Sequence, residues 1–157
     1  MFLINQIANR VYKYRTNPKI PDDIISRQPL ILFDGECNLC NYSVRFLIRH
    51  NRSANLSFAS LQSKSGAEIL AFYGDSAHPI DSIVLVENNL VYVESSAAVK
   101  IAVHLDFPWC MLKVFAILPT RFLDIVYRFI ARNRYKWFGE NTHCFPDGGE
   151  IKKRIIS

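Results

Sequence analysis

Long apolar runs are missing from this sequence. No stretch of about 18 apolar residues occurs, the length a spanning helix needs. The longest candidate, residues 107–119 (FPWCMLKVFAILP), is short and carries Lys113. A membrane-spanning helix is therefore not expected. The opening residues, MFLINQIANRVYKYR, lack the apolar core of a secretory signal, and no small-residue cleavage site follows. The expected compartment is the reducing cytoplasm. Cysteine is also scarce, four in 157 residues, too few for a small fold stapled by disulfides. There is no internal repeat, no low-complexity tract and no nucleic-acid-binding motif.

Half of the residues are hydrophobic and 13% are aromatic, which is enough for a substantial core and excludes a wholly disordered chain. The length suits one domain of about 100–150 residues with additions. Charge is uneven. Residues 1–29 carry five Lys/Arg against two acids, residues 30–112 five against eight, and residues 113–157 nine against four. Basic ends on an acidic middle suggest an interaction surface rather than a nucleic-acid-binding core, or else an ordinary solvated face.

Leu3, Ile7 and Val11 are spaced for a short amphipathic helix over residues 1–15, and Pro18, Pro21 and Pro29 punctuate a linker after it. Leu30–Phe33 is wholly apolar and ends at Asp34-Gly35, the pattern of a buried strand. Residues 38–50 turn helical, with Cys40, Val44, Leu47 and Ile48 on one face and cations near the C-terminal end. A strand over 56–59 follows, then a helix over 65–72 closed by Gly74. Strands 83–86 and 90–93 flank Glu87-Asn88-Asn89, and asparagine tolerates the positive φ of a tight hairpin. Ser95 or Ser96 is the expected cap of a helix reaching about Leu105. Helices over 109–118 and 120–134, broken at Pro119 and capped by Thr120, complete the reading.

The order β-α-β-α-β-β-α defines an α/β, thioredoxin-like fold with an added C-terminal helical segment. Residues 1–28 form an N-terminal extension, 29–106 the core, and 107–157 a helical extension packed on it.

Chemistry concentrates in Asp34-Gly35-Glu36-Cys37-Asn38-Leu39-Cys40, between a buried strand and a helix. Cys-x-x-Cys spacing sets two sulfurs about one turn apart, close enough to bridge. The first meets free backbone N–H groups and the positive end of the helix dipole, which stabilise a thiolate. The second lies one turn further in and is expected to be better shielded. Cys37 is thus the attacking thiol and Cys40 the resolving one. The competing reading is a metal-binding or redox-sensing module using the same pair, but there is no second Cys-x-x-Cys to complete a zinc site. No metal or other cofactor is expected.

Asp34 has two readings: a base that takes the Cys40 proton, if burial raises its pKa, or a cap for the following loop or helix. Glu36 is expected to be solvated. Cys110 reads as a buried structural thiol. Cys144 is either a third redox thiol, with His143 assisting its ionisation, or an ordinary surface or semi-buried cysteine. His50, His78 and His104 are isolated. Residues 132–138 mix Arg132, Arg134 and Lys136 with Tyr135, Trp137 and Phe138. They could line the site, bind a partner or a membrane surface, or pack their aromatics on the core. Packing is the expectation, with one or two cations, Arg134 among them, functional.

The Asp34, Cys37, Cys40 signature resembles that of the DCC family of thiol–disulfide oxidoreductases. The block LILFDGECNLCNYSVRFLIRH resembles the family's opening block, and FASLQS (58–63), DSIVLVENNLVYVESSAAVKIA (81–102) and ARNRYKWFG (131–139) resemble later ones in the same order. The resemblance spans roughly residues 29–145. It implies a thioredoxin-like fold and a protein-disulfide reductase activity. The partners it implies are a disulfide-containing protein or small-thiol substrate and an external reductant. One departure stands out: thioredoxins place a cis-proline just before the third strand, where this chain has Asp81-Ser82, with Pro79 upstream.

Overall fold

Leu30–Phe33 carries no polar side chain, and all four residues are buried as strand β1 of a computed structural model. The structure describes residues 29–73, 83–88, 90–140 and 154–156. The expected N-terminal helix and linker, Gly74, His78, Pro79, Asp81-Ser82, His143 and Cys144 lie outside the described residues.

After β1 come helix α1 (Asn38–Arg49), strand β2 (Ser57–Ser60), helix α2 (Lys64–Tyr73), strands β3 (Val84–Glu87) and β4 (Leu90–Val93), and helix α3 (Glu94–Val103). A 3-10 helix (Trp109–Ile117), the long helix α4 (Thr120–Phe138) and strand β5 (Ile155–Ile156) complete the order. The sheet runs β4-β3-β1-β2-β5. β1 pairs in parallel with β2 and antiparallel with β3, and the β3–β4 hairpin is antiparallel. Asn88 takes φ 52°, the left-handed turn geometry that asparagine tolerates. The chain is α/β and thioredoxin-like, with the expected C-terminal helix present.

Side chains alternate across a strand, so β1 builds both halves of the core. Ile31 and Phe33 pack with Val44 and Leu47 of α1 and with Ala97 and Ile101 of α3. Leu30 and Leu32 face the other way, toward Ala59 and Ile69 of α2. Burying one such side chain is worth about 1.5–3 kcal/mol, which fixes the β1 end rigidly. The Cys-x-x-Cys loop starts from that end.

The structure corrects several details. The C-terminal extension is not wholly helical: Ile155 and Ile156 pair in parallel with Phe58 and Ala59 and extend the sheet at its edge. Arg154 anchors this strand by donating from Nη1 and Nη2 to the Asn51 carbonyl, both at 3.3 Å. A pair of β-branched residues is too short to give a periodic signal.

Ser95 and Ser96 do not cap α3. Both are buried within it, and the Ser95 hydroxyl donates to Asp124 of α4 instead of to its own helix. Thr120 is the first helical residue of α4, not its cap. The segment before it is 3-10 rather than α-helical and has no buried residue. Helices in proteins owe most of their stability to packing of one face; this segment rests on α3 without fully burying any of its residues. α4 runs to Phe138 and stops at Gly139, whose φ of 74° suits glycine.

Candidate active site

Cys37 is the residue that flanks the first turn of α1, with extended backbone (φ −90°, ψ 120°). Its Sγ accepts the backbone N–H of Cys40 at 3.4 Å, so the thiol itself serves as the helix cap. Its carbonyl accepts the first helical hydrogen bond, from the Asn41 N–H at 3.0 Å. Asn41 donates from Nδ2 to the Gly35 carbonyl at 2.7 Å, tying the loop to the helix. Cys37 and Cys40 are both free thiols.

Shielding is the reverse of the sequence expectation. Cys37 is 0% exposed, while Cys40 is only half-buried. The cause is a cover from the end of α4. Glu140 forms an antiparallel backbone bridge with Cys37. Asn38 clamps the same segment, donating from Nδ2 to the Phe138 carbonyl at 2.9 Å and the Glu140 carbonyl at 3.4 Å. Helix position alone does not reveal a cover arriving from 100 residues away.

Asp34 is buried at the carboxyl end of β1 and receives four donors. The Glu36 N–H (3.0 Å) and Gln62 Nε2 (2.8 Å) reach Oδ1. Arg134 Nη2 (2.8 Å) and the Tyr135 hydroxyl reach Oδ2. Burial alone would raise its pKa. The hydrogen bonds from Tyr135, the Glu36 N–H and Gln62, together with the Arg134 charge, outweigh burial and hold the carboxyl below its ordinary value. The expectation of a pKa raised by burial is therefore corrected. The bond from Glu36 N–H matches the capping alternative.

Arg134 is 3% exposed. Burial works against its charge, but Tyr135 and the nearby sulfurs of Cys40 and Cys37 favour the guanidinium, and its pKa moves upward. Tyr135 is pushed up to about 12 by burial and by its bond to the Asp34 carboxylate. The Cys40 thiol is also pushed up to about 12, by burial first and then by the hydrogen bond and charge of Cys37, with Arg134 pulling the other way. Tyr127 accepts the Ile83 N–H at 2.9 Å and is raised to about 12 by burial, with Cys40 adding to the shift.

The structure thus brings Asp34, Cys37, Cys40 and Arg134 together. Tyr135, Gln62, Tyr127 and Asn38 were not singled out as site residues from sequence. Asn38 lies within the opening block, Gln62 within FASLQS and Tyr135 beside Arg134, so the family-like blocks held the signal for those three. Tyr127 had none. Trp137 and Phe138 do not pack their rings on the core: they are 54% and 48% exposed. The buried side of α4 is instead polar, presenting Asp124 and Arg134.

Glu36 is exposed as expected. Cys110 is half-buried rather than buried, on a 3-10 helix none of whose residues is fully buried. His50 Nδ1 lies 2.9 Å from the Phe46 carbonyl, and His104 Nε2 lies 2.8 Å from Glu87 Oε1. Among the described residues, no three His, Cys, Asp or Glu side chains are grouped so as to hold a metal ion. Among the same residues, no helix is long and apolar enough to cross a membrane.

Residues 31–140 match the family described as DCC1-like thiol-disulfide oxidoreductase. The chain is 41% identical over 141 residues to the uncharacterized protein YuxK of Bacillus subtilis, covering 90% of this chain and 98% of that one. It is 40% identical over 119 residues to a chloroplastic DCC family protein of Arabidopsis thaliana, covering 75% of this chain and 69% of the relative. No solved structure matches.

Proposed function

Because this chain belongs to the DCC1-like thiol–disulfide oxidoreductase family, we propose that it is a disulfide reductase that cycles Cys37 and Cys40 between dithiol and disulfide. The observation that carries the reading is the asymmetry of the pair. Cys37 Sγ caps α1 and accepts the Cys40 N–H, while the Cys40 thiol is pushed up to about 12 and stays protonated near neutrality. Cys37 is therefore the nucleophile, since the thiolate is the attacking form.

In the first step the Cys37 thiolate attacks one sulfur of a substrate disulfide. A mixed disulfide forms, and the substrate's S–S electron pair leaves on the other sulfur, which takes a proton. Bonded to substrate, Cys37 no longer carries a charge, and one of the causes holding the Cys40 proton is lost. Arg134, which already pulls the Cys40 pKa down, then favours its thiolate. Cys40 gives its proton to the departing thiolate or to solvent and attacks Cys37. The Cys37–Cys40 disulfide forms and the reduced substrate leaves. Two electrons have passed to substrate, and an external dithiol reductant must return them. A reducing compartment such as the cytoplasm supplies one.

Asp34 in this scheme is a positioning residue. A carboxylate with four donors and a lowered pKa is a poor proton acceptor; it fixes Arg134 beside the sulfurs. Entry of a substrate requires the Phe138–Glu140 segment to lift from Cys37.

Insulin-disulfide reduction by wild type and Cys37→Ser tests the assignment, and equal turnover by the two would remove it. The Cys40→Ser protein should retain substrates as mixed disulfides on Cys37.

A further inference from the structure

The segment from Phe107 to Phe138 leaves an unusual amount of apolar surface in water. The 3-10 helix has no buried residue, and Met111, Val114 and Ile117 stand exposed on it. Along α4, Phe122, Ile125, Val126, Phe129 and Trp137 recur at helical spacing on the side opposite Asp124 and Arg134, and Ile125 is 67% exposed. Both elements rest on α3 and are joined only by Leu118-Pro119. Soluble monomers rarely expose contiguous apolar patches beyond a few hundred Å², and larger ones mark interaction sites.

Charge selects the occupant. Arg121, Arg132 and Lys136 are exposed and fall along one flank of the α4 stripe at about 3.6 residues per turn. Lys113 projects from the 3-10 helix. Between Phe107 and Gly139 the only acidic residue is Asp124, which is buried. A second copy of the chain would bring further cations to this face with no exposed acid from the same segment to answer them. Residues 1–29 are themselves basic, five Lys/Arg against two acids, so they fit no better. Large apolar and aromatic side chains flanked by cations match an anionic lipid surface, into which such a helix lies flat.

We propose that the 3-10 helix and the outer face of α4 form a membrane-surface docking site for anionic lipid. The inference is independent of the redox assignment. It would set the end of α4, which covers Cys37, close to the lipid headgroups.

The test is sedimentation of the full chain with vesicles of phosphatidylglycerol and phosphatidylcholine, against vesicles of phosphatidylcholine alone, at low salt. Binding to the anionic vesicles only, weakened by added salt, is expected. Each basic side chain near the surface contributes about a fivefold factor, so Arg121→Gln/Arg132→Gln/Lys136→Gln should weaken binding on the order of 100-fold. Ile125→Glu/Phe129→Glu should abolish it. Both changes fall at exposed positions, and unchanged melting temperatures separate a lost surface from a lost fold. The chain's two tryptophans, Trp109 and Trp137, both stand on this segment, so their emission should shift to the blue on binding.

Three results would overturn the proposal. One is failure to sediment with anionic vesicles. Another is binding that Ile125→Glu/Phe129→Glu leaves intact. The third is a stable dimer that the same double variant dissociates, with no vesicle binding, which would assign the face to a second copy.

Discussion

Arg134 Nη2 lies 2.8 Å from Asp34 Oδ2, a buried ion pair that joins the C-terminal half of α4 to the end of β1 across 100 residues of sequence. Removing one partner leaves the other charged and buried without its counter-ion. Arg134→Met is expected to cost about 3–5 kcal/mol in denaturant unfolding. Because the two side chains share one network, adding Asp34→Asn should cost less than the sum of the single changes. Additive losses in that double-mutant cycle would mean that the pair is not coupled.

The same pair sets an acid limit. Asp34 has a folded pKa below its ordinary value. Its contribution is therefore complete above the unfolded carboxyl value of about 3.9 and fades as pH falls from there through the folded value. The stability gap between wild type and Asp34→Asn should be widest near neutrality and narrow below about pH 4. A gap that does not change with pH would show that the charge of Asp34 contributes nothing.

Cys40 offers a spectroscopic check. Burial is the largest cause of its rise to about 12, and Cys37 is the next. In Cys37→Ser, ultraviolet thiolate absorbance should show Cys40 titrating lower than in the wild type but still above an ordinary thiol. Arg134→Gln should move it upward, since the guanidinium favours the thiolate. No movement in either variant would disconnect Cys40 from both neighbours.

The central β-α-β-α-β-β-α order was legible because each element has its own periodicity, from the apolar run Leu30–Phe33 to the hairpin at Asn88. The Cys37, Cys40 and Asp34 cluster was legible because a strand end and a helix start place it within seven residues. What the sequence could not reveal depends on distant contacts. The pKa of Asp34 follows from donors on β2's exit and on α4, so burial alone gave the wrong direction. The shielding of Cys37 depends on Glu140, and no local pattern around Cys37 encodes it. Ser95 resembled a cap, yet its partner is Asp124.

Gly66 tests how tightly the second face of the sheet is packed. A Cβ there would lie 1.9 Å from the Ser60 carbonyl oxygen, a backbone atom that cannot step aside cheaply. Gly66→Ala should destabilise the protein by about 1–3 kcal/mol, read as a lowered denaturation midpoint. A midpoint equal to wild type would show that α2 shifts freely against β2.

The cover over Cys37 sets the rate at which its thiol meets reagents. With Cys37 0% exposed, alkylation of the native dithiol must wait for Phe138–Glu140 to lift. Asn38 holds that segment through bonds to two carbonyls, at 2.9 and 3.4 Å. A typical hydrogen bond contributes about 1 kcal/mol net, so Asn38→Ala should raise the open population, and with it the iodoacetamide rate at Cys37, by about five- to tenfold. Mass spectrometry of the labelled peptide measures that rate residue by residue, and Cys110, a free half-buried thiol on the 3-10 helix, serves as the internal reference. Gly139 contributes to the same closure: a side chain at φ 74° strains the closed turn, so Gly139→Val should act in the same direction. If neither variant changes the Cys37 rate relative to Cys110, the segment does not gate access and substrate must approach from another side.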